Sequence, residues 1–164
     1  MIWDQITNMP QPKTDLILKF LSQEGFRPTV DEEGDVRFQF EGQTLFIHPE
    51  EDDPQLMKLF GFAWRFDSEP EEEDDDPELV LALQVAGICS AKHNGIKAIA
   101  IPERVIVVVA EQFHEPFEAF KGTFFRLLDA IKACTNEVQE LMEMEYEDDD
   151  DDEDEDDDFD PESN

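Results

Sequence analysis

The chain has 164 residues, in which 12 Lys and Arg stand against 44 Asp and Glu, so its formal net charge is −32. That charge excludes direct binding of nucleic acid, because phosphate contacts need a surplus of Lys and Arg. Hydrophobic residues make up 40% of the chain and include 14 Phe. A chain of this length and composition can bury a substantial core, which predicts one folded domain.

The acidic residues are concentrated in two segments. Residues 67–78 carry nine acidic and no basic residues, and residues 143–164 carry sixteen acidic and no basic residues. The rest of the chain holds all 12 basic residues and is only about −7, an ordinary charge for a small domain. We predict a single α+β domain over residues 1–142 with an acidic loop at 67–78, followed by a disordered Asp/Glu-rich tail over residues 143–164.

Periodicity in the first half of the chain predicts a helix and then a meander of strands. Residues 1–13 form a polar lead, and the apolar spacing from Leu16 to Leu21 indicates a first helix over about residues 15–23. The alternation that ends at Phe40 predicts a hairpin around an acidic turn, and residues 44–48 predict a third strand.

Four aromatic residues alternate in the next segment. Asp53 and Pro54 are typical of a helix start, but Phe60, Phe62, Trp64 and Phe66 recur at every second position. On a helix these rings would be spread around the circumference, whereas on a strand they share one face. We therefore predict a fourth strand over residues 59–66 with all four aromatics on the same face.

The second predicted helix begins at Pro77 and runs to about His93. It is apolar on more than one side and rich in small residues, which is typical of a helix packed between two layers. The residues around Val80, Gln84 and Ile88 suit a closely packed partner helix of a second subunit, and burial under the third helix is the alternative. Homodimer formation is therefore a hypothesis at this point.

A final hairpin and a long helix complete the domain. Residues 96–101 and 104–110 predict two strands, and the apolar run from Val105 to Val109 predicts a strand at the centre of the sheet, covered on both faces. Pro116 starts a third helix that keeps one apolar stripe for about seven turns, so it should lie lengthwise along the sheet. The expected fold is α+β with an antiparallel sheet of about six strands in the order α-β-β-β-β-α-β-β-α.

The residues and the order of these elements resemble the YbjN-like family. The segment LILKFLSQEGF followed by TVDEEGDVRFQFEGQTLFI is similar to the opening of that family, and PELVLALQVAGICSAKHNGIKAIAIPERVIVVVAEQF to its second helix and final hairpin. The resemblance covers about residues 14–142 and implies the type III secretion chaperone-like fold in a small, acidic, non-enzymatic protein. Secretion chaperones of this fold are similar dimers that hold an extended segment of another protein against their sheet, and YbjN-like proteins are described as regulators. The acidic loop and the acidic tail depart from the family pattern.

The sequence offers no residue pattern for catalysis, a cofactor or a metal. His48, His93 and His114 lack the spacing of a zinc site, and residues 31–35 lack the ligand positions of a calcium loop. Cys89 lies in an apolar helix of an acidic protein, which favours a core residue over a nucleophile. We therefore expect a non-enzymatic protein without cofactor or metal.

The cellular compartment is predicted from the cysteines and the apolar runs. Cys89 and Cys134 are isolated, and no apolar run is long enough for a membrane span or follows a basic segment as in a signal peptide. These features favour a reducing cytoplasm without membrane association.

The resulting functional hypothesis is a chaperone-like or regulatory protein-binding module. Its anchors would be the aromatic strand residues or the second helix, with the acidic tail steering basic partner surfaces. The helix anchors would be Val80, Gln84 and Ile88. The densest part of the tail comprises Asp148, Asp149, Asp150, Asp151, Asp152, Glu153, Asp154, Glu155, Asp156, Asp157 and Asp158. The competing hypothesis is a tail-driven role, in which the polyanion mimics nucleic acid or binds basic proteins or divalent cations and the body is a carrier.

Overall fold

The computed structural model describes residues 13–50, 52–53, 55–67, 76–113 and 117–149. The elements are α1 (Lys13–Gln23), β1 (Thr29–Val30), β2 (Val36–Phe40), β3 (Gln43–Pro49), β4 (Leu56–Arg65), α2 (Pro77–Lys92), β5 (Lys97–Ile101), β6 (Val105–Phe113) and α3 (Phe117–Asp149). The strands form one antiparallel sheet in the order β1-β2-β3-β4-β6-β5. The predicted α+β class, strand number and element order are confirmed. The expected lead, most of the acidic loop and the tail beyond Asp149 lie outside the described residues.

The β2–β3 hairpin has the tightest connection in the sheet. Phe40 pairs with Gln43, so only Glu41 and Gly42 form the turn, and both have positive φ angles, of 46° and 86°. Two consecutive positive φ angles define the type I′ turn, whose twist matches that of the flanking strands. This turn fixes the register that places Phe38 opposite Leu45 in the core.

All three described helices pack against one face of the sheet. A single hydrophobic cluster joins residues of α1, α2 and α3 to one set of alternating strand positions, among them Phe38, Leu45, Ile47, Leu59, Ile106 and Val108. At its centre Phe124 of α3 packs edge-on against Phe20 of α1, with ring centroids 5.1 Å apart. We call this side the covered face and the opposite side the open face.

The covered face leaves little space at β4. A Cβ atom added to Gly61 would lie 2.7 Å from Cδ2 of Leu45, its cross-strand neighbour. Glycine at this position therefore lets the fully buried Leu45 pack against the backbone of β4.

The prediction that four aromatics of β4 share one face is wrong, because the strand contains a bulge. The pairing with β6 shifts register between Phe62 and Trp64, so Phe62 lies opposite Val107 but Trp64 lies opposite Ile106. Phe60 and Phe62 consequently lie on the open face, whereas Trp64 and Phe66 pack against the core. An extra residue in one strand has this effect because side chains alternate with a period of two.

Two further expectations differ from the structure. β6 is not central, since it lies between β4 and the edge strand β5, and its Val107 is half-buried on the open face. α3 does run lengthwise along the sheet, but it continues past Met142, its last buried residue, to Asp149. The first seven residues of the expected tail are therefore helical.

Candidate partner-binding surfaces

The open face of the sheet carries a contiguous apolar surface. We define the open-face patch as Phe46, Phe60, Phe62, Ile99 and Val107. Cross-strand pairs connect its members, because Phe46 pairs with Phe60, and a row runs from Phe62 through Val107 to Ile99. The core cluster of the described helices includes no residue of this patch.

The aromatic rings of the patch contact one another directly. The rings of Phe46 and Phe60 are stacked with centroids 5.1 Å apart, and the ring of Phe62 meets that of Phe46 edge-on at 5.7 Å. Phe62 nevertheless remains 47% exposed. Half-exposed aromatic side chains next to other rings give up much apolar surface when a partner covers them, which is the property of binding anchors.

The edges of the sheet are less suited to binding than its face. β1 has only two residues, and at the other edge the hydroxyl of Ser90 donates to the Ala98 carbonyl and accepts from the Ala98 amide, at 3.0 and 2.8 Å. The side chain of Ser90, a residue of α2, therefore forms hydrogen bonds with both outward-facing backbone groups of Ala98, in the middle of β5. An edge closed in this way is protected against the addition of another strand.

A second apolar surface lies on the outer side of α2. Ala82, Val85, Ala86 and Cys89 are buried, while Val80, Leu83 and Ile88 are each about half exposed, and the polar Gln84 beside them is exposed as well. The structure therefore places the predicted residues Val80, Gln84 and Ile88 together on one exposed helix face, separate from the open-face patch. We call the six exposed residues Val80, Leu83, Gln84, Gly87, Ile88 and Ala91 the outer face of α2.

The two acidic segments leave the domain at the same end. α3 starts near the end of the sheet where Gln112 pairs with Met57, since Thr123 lines the same small cleft as Gln112. Further along α3, the Gln139 amide donates to the Ala63 carbonyl at 3.2 Å, near the other end of β4. The acidic C-terminal turns of α3 therefore point to the end of the sheet at which residues 67–76 join β4 to α2.

Arg104 holds the end of the acidic loop against the sheet. Its guanidinium forms salt bridges with Asp76 and Glu78 and lies 5.3 Å from the centroid of the Phe66 ring. Asp76 is also the N-cap of α2 and accepts from the Leu79 amide at 3.1 Å. These contacts fix the position of Asp76, where the acidic loop ends.

The two described histidines, His48 and His93, form pairs that the sequence did not predict. Nδ1 of His48 lies 2.6 Å from the carboxylate of Asp35, and its Nε2 lies 3.7 Å from that of Glu50. Nε2 of His93 lies 2.6 Å from Glu137, which also bonds to Lys92. The hydrogen bond from Lys92, and to a lesser extent that from His93, lowers the pKa of Glu137. The bond between Lys92 and Glu137 also raises the pKa of Lys92. This cluster joins the end of α2 to α3.

The two cysteines lie fully buried between the helices and are not in a disulfide. Burial raises the pKa of the Cys134 thiol to about 12 and also raises that of Cys89. A thiol with a raised pKa is a poor nucleophile at neutral pH, because the thiolate is the reactive form. Within the described ranges, no group of three or more His, Cys, Asp or Glu residues could hold a metal ion.

A helix that crosses a bilayer needs about 20 consecutive, predominantly apolar residues. None of the helices in the ranges given above is both long and apolar enough to cross a membrane.

Comparison with known proteins assigns no family to the chain. No family model matches the chain, and no curated protein matches it. Among solved structures, it is similar to the crystal structure of an uncharacterized protein from Methanothermobacter thermautotrophicus, with 18% identity and a TM-score of 0.44. That match covers 82% of this chain and 96% of the archaeal chain. The resemblance to the YbjN-like family stays a prediction.

Sequence reasoning missed Phe46, Ile99 and Val107 as members of the open-face patch. They were assigned to strands but not to a binding surface, because the residues directly before and after each of them are also apolar and give no alternation. The missing information was the strand order, which brings β3, β4, β6 and β5 side by side.

Proposed function

We propose that this protein is a non-catalytic protein-binding module, chaperone-like or regulatory, whose open-face patch binds an extended partner segment with apolar side chains and flanking basic residues. The observation that carries the proposal is the group of stacked aromatics on the uncovered face, with Phe62 47% exposed. Aromatic side chains supply most of the binding energy when a partner removes them from water. No cofactor or metal takes part in this function.

Binding at the face is favoured over strand addition at an edge. The Ser90 hydroxyl already forms hydrogen bonds with the backbone groups of Ala98 on β5, so a partner strand cannot pair with them. At the other edge, β1 has only two residues and is too short to pair with a long partner strand. A partner segment would therefore lie across the strands and insert side chains between the rings.

The acidic segments define the expected charge of the partner. Asp67, where the acidic loop begins, is five residues along the chain from Phe62, a distance of at most about 18 Å. A segment seated across the patch would thus pass within about that distance of Asp67, at the end of the sheet that Asp76 and the acidic last turns of α3 also approach. Basic residues next to its apolar anchors would be attracted to that end, which speeds association and orients the partner.

The test is binding of the full chain to immobilised short peptides that combine apolar residues with either basic or acidic flanks. Phe62→Ser should abolish binding to the apolar-basic peptides. Phe125→Ser is the matched control, because Phe125 is also 47% exposed but contacts Phe26 and Phe124 on the helical side. Equal binding by both variants would refute the role of the open face.

The second candidate function is binding by the polyanion alone, with the body as a carrier. It is favoured by the exit of both acidic segments at one end of the domain. Replacement of the acidic residues at 148–158 by Asn and Gln keeps the length of the chain and removes the charge. Under this candidate, binding to basic peptides without apolar residues is lost in that variant and at about 0.5 M salt, while Phe62→Ser has no effect. Under the open-face function, binding of the apolar-basic peptides is lost in Phe62→Ser but survives both the charge-neutral variant and about 0.5 M salt.

The proposed compartment is the reducing cytoplasm. Cys89 and Cys134 are free thiols in the core, which is the ordinary state of cysteines in that compartment. Fractionation of the source cells, with the protein detected by an antibody, tests this assignment.

A further inference from the structure

We propose that the segment around Phe159 docks on the open-face patch of its own chain and occupies it until a partner displaces it. The contact regulates the surface of the proposed function, on which it therefore rests. Three features support it: the basic residues around the patch, the composition of the acidic tail, and the place where α3 ends.

Basic residues lie around the open-face patch. Cross-strand pairs form a continuous row on this face, in the order Arg37, Phe46, Phe60, Val109, Lys97. Directly paired residues project from the same face of a sheet, so a cation lies at each end of this row. Lys58 lies in the next row, and Arg65 follows the bulge, one residue after the core-facing Trp64. Four of the 12 basic residues of the chain thus surround the patch.

The cations around the patch have room for further carboxylates. Arg37 and Arg65 are exposed and form no salt bridge within the described ranges. The two lysines each pair with one carboxylate of the body, at 3.1 and 3.4 Å. Salt bridges at the surface contribute little, so carboxylates of another segment can join or replace them. The surroundings of the patch therefore suit an acidic segment.

One part of the tail matches this surface. Phe159 is the only aromatic residue after Tyr146, and it lies between Asp158 and Asp160 in the run DDDFD. A ring flanked by carboxylates is complementary to a patch of rings flanked by cations, both in apolar surface and in charge. The acidic residues 67–78 include no aromatic residue and lack this combination.

The end of α3 brings the Phe159 segment within reach of the patch. The Gln139 amide donates to the carbonyl of Ala63, which directly follows Phe62 in β4. From Gln139, α3 rises about 15 Å to Asp149. The ten residues from Asp149 to Phe159 span up to about 34 Å, more than twice this rise. That length is sufficient to return around the end of the sheet to the open face.

A segment of the same chain needs little affinity of its own to occupy the patch. Attachment gives it an effective concentration of millimolar order, so one ring and a few ion pairs are sufficient. A partner with apolar anchors and basic flanks displaces it efficiently, because the anchors replace the Phe159 ring and the basic residues pair with the released carboxylates. The docked segment therefore excludes apolar partners that lack basic residues.

The first experiment traps the contact as a disulfide in the full chain, without any partner. Ser163→Cys puts one thiol in the tail, and Gln39→Cys puts the second on the open face, next to the patch. In the control pair the second thiol is Leu83→Cys, at an exposed position of α2 on the helical side. The native cysteines do not interfere, since both are fully buried.

Under mild oxidation the open-face pair should link within one chain at least about fivefold faster than the control pair. Mass spectrometry of proteolytic fragments identifies the linked positions. Equal rates for the two pairs would overturn the proposal. Linkage mainly between two chains, seen as twice the 19.0 kDa chain mass on a non-reducing gel, would assign the patch to the tail of a second copy and overturn it as well.

The second experiment measures the affinity of the full chain and of two tail variants for the immobilised apolar-basic peptides. Phe159→Ser keeps every charge and removes the ring, so it should bind at least about threefold more tightly than the wild type, because less of the patch is occupied. Pro161→Ser alters the same tail but keeps the ring, and it should bind like the wild type. Equal affinities of Phe159→Ser and the wild type would refute the regulation.

The two experiments separate this proposal from the proposed function. Fast trapping of the open-face pair in a chain that binds none of the peptides would refute the proposed function and leave the docked tail standing. Peptide binding that is lost in Phe62→Ser, together with equal trapping of the two pairs, would refute the docked tail alone.

Discussion

The two faces of the sheet have similar residues and opposite surroundings. On the covered face Phe38 meets Phe124 at 5.9 Å, inside a cluster contributed by all three helices. On the open face Phe46 and Phe60 stack just as closely, but no described helix covers them. Residue type therefore does not decide burial in this protein. Burial depends on whether a residue stands at an odd or an even position of its strand, and on the bulge in β4, which moves Trp64 and Phe66 to the covered side.

The strongest test of this comparison removes one ring from each face. Phe124 is fully buried, so Phe124→Ala should lower the free energy of unfolding by about 3–5 kcal/mol. Phe62→Ala removes a half-exposed ring and should cost less than about 1 kcal/mol. Urea denaturation followed by circular dichroism measures both. A loss at Phe62 as large as that at Phe124 would mean that the open face is part of the core.

A methyl group added to the covered face should have the next largest effect. The new Cβ of Gly61→Ala would overlap the buried side chain of Leu45, so we expect a loss of about 1–3 kcal/mol. Gly122→Ala is the control, because a Cβ there meets nothing and alanine favours the helix. Thermal melts of both variants should shift in opposite directions. A melting temperature unchanged by Gly61→Ala would show that Leu45 has room to move.

Smaller still is the expected effect of opening the sheet edge. Ser90→Ala removes both hydrogen bonds to Ala98 and should cost about 1 kcal/mol. Hydrogen exchange should report faster exchange of the Ala98 amide, with little change in the middle of β4. Ser22→Ala deletes a hydroxyl that bonds only to the Leu18 carbonyl of its own helix, and it should be nearly neutral. Unchanged protection of Ala98 in Ser90→Ala would contradict the capping of this edge.

The smallest effect concerns the contact between α2 and α3. The pKa of Glu137 is lowered in the fold by Lys92 and then His93, so its contribution to stability is present above the ordinary carboxyl pKa. That contribution is lost as the pH falls through the lower folded value. Glu137→Gln should therefore reduce the acid dependence of the unfolding free energy below about pH 4.3. Identical pH profiles for the variant and the wild type would show that the cluster adds nothing to stability.

Much of the fold was predictable because local patterns define each element. The alternation of Val36, Phe38 and Phe40 indicated a strand, and Pro77 after Asp76 marked the start of α2. The bulge was not predictable, since Ala63 is an ordinary strand residue and the extra position is visible only in the pairing with β6. The apolar run of β6 indicated a central strand, but strand order depends on contacts distant in sequence.

The candidate site was predictable only in part, for the same reason. Phe60 and Phe62 were identified from alternation alone, and they do lie on the open face. Phe46 joins them through the register of β3 against β4, which no local pattern contains. On α2, the exposed positions followed from helical spacing, whereas the side of the helix that faces α3 required the structure.

The end of α3 has a mechanical consequence for the rest of the chain. Beyond Met142, the last residue that contacts the core, the helix continues for seven residues, a rise of about 10 Å. It acts as a spacer, so the charges that follow Asp149 begin about 10 Å along the chain from the core, and their mutual repulsion hardly acts on the packed residues. Changes in the length or charge of the segment after Asp149 therefore leave the folding equilibrium of the domain almost untouched. Protein evolution can adjust that segment independently of the fold.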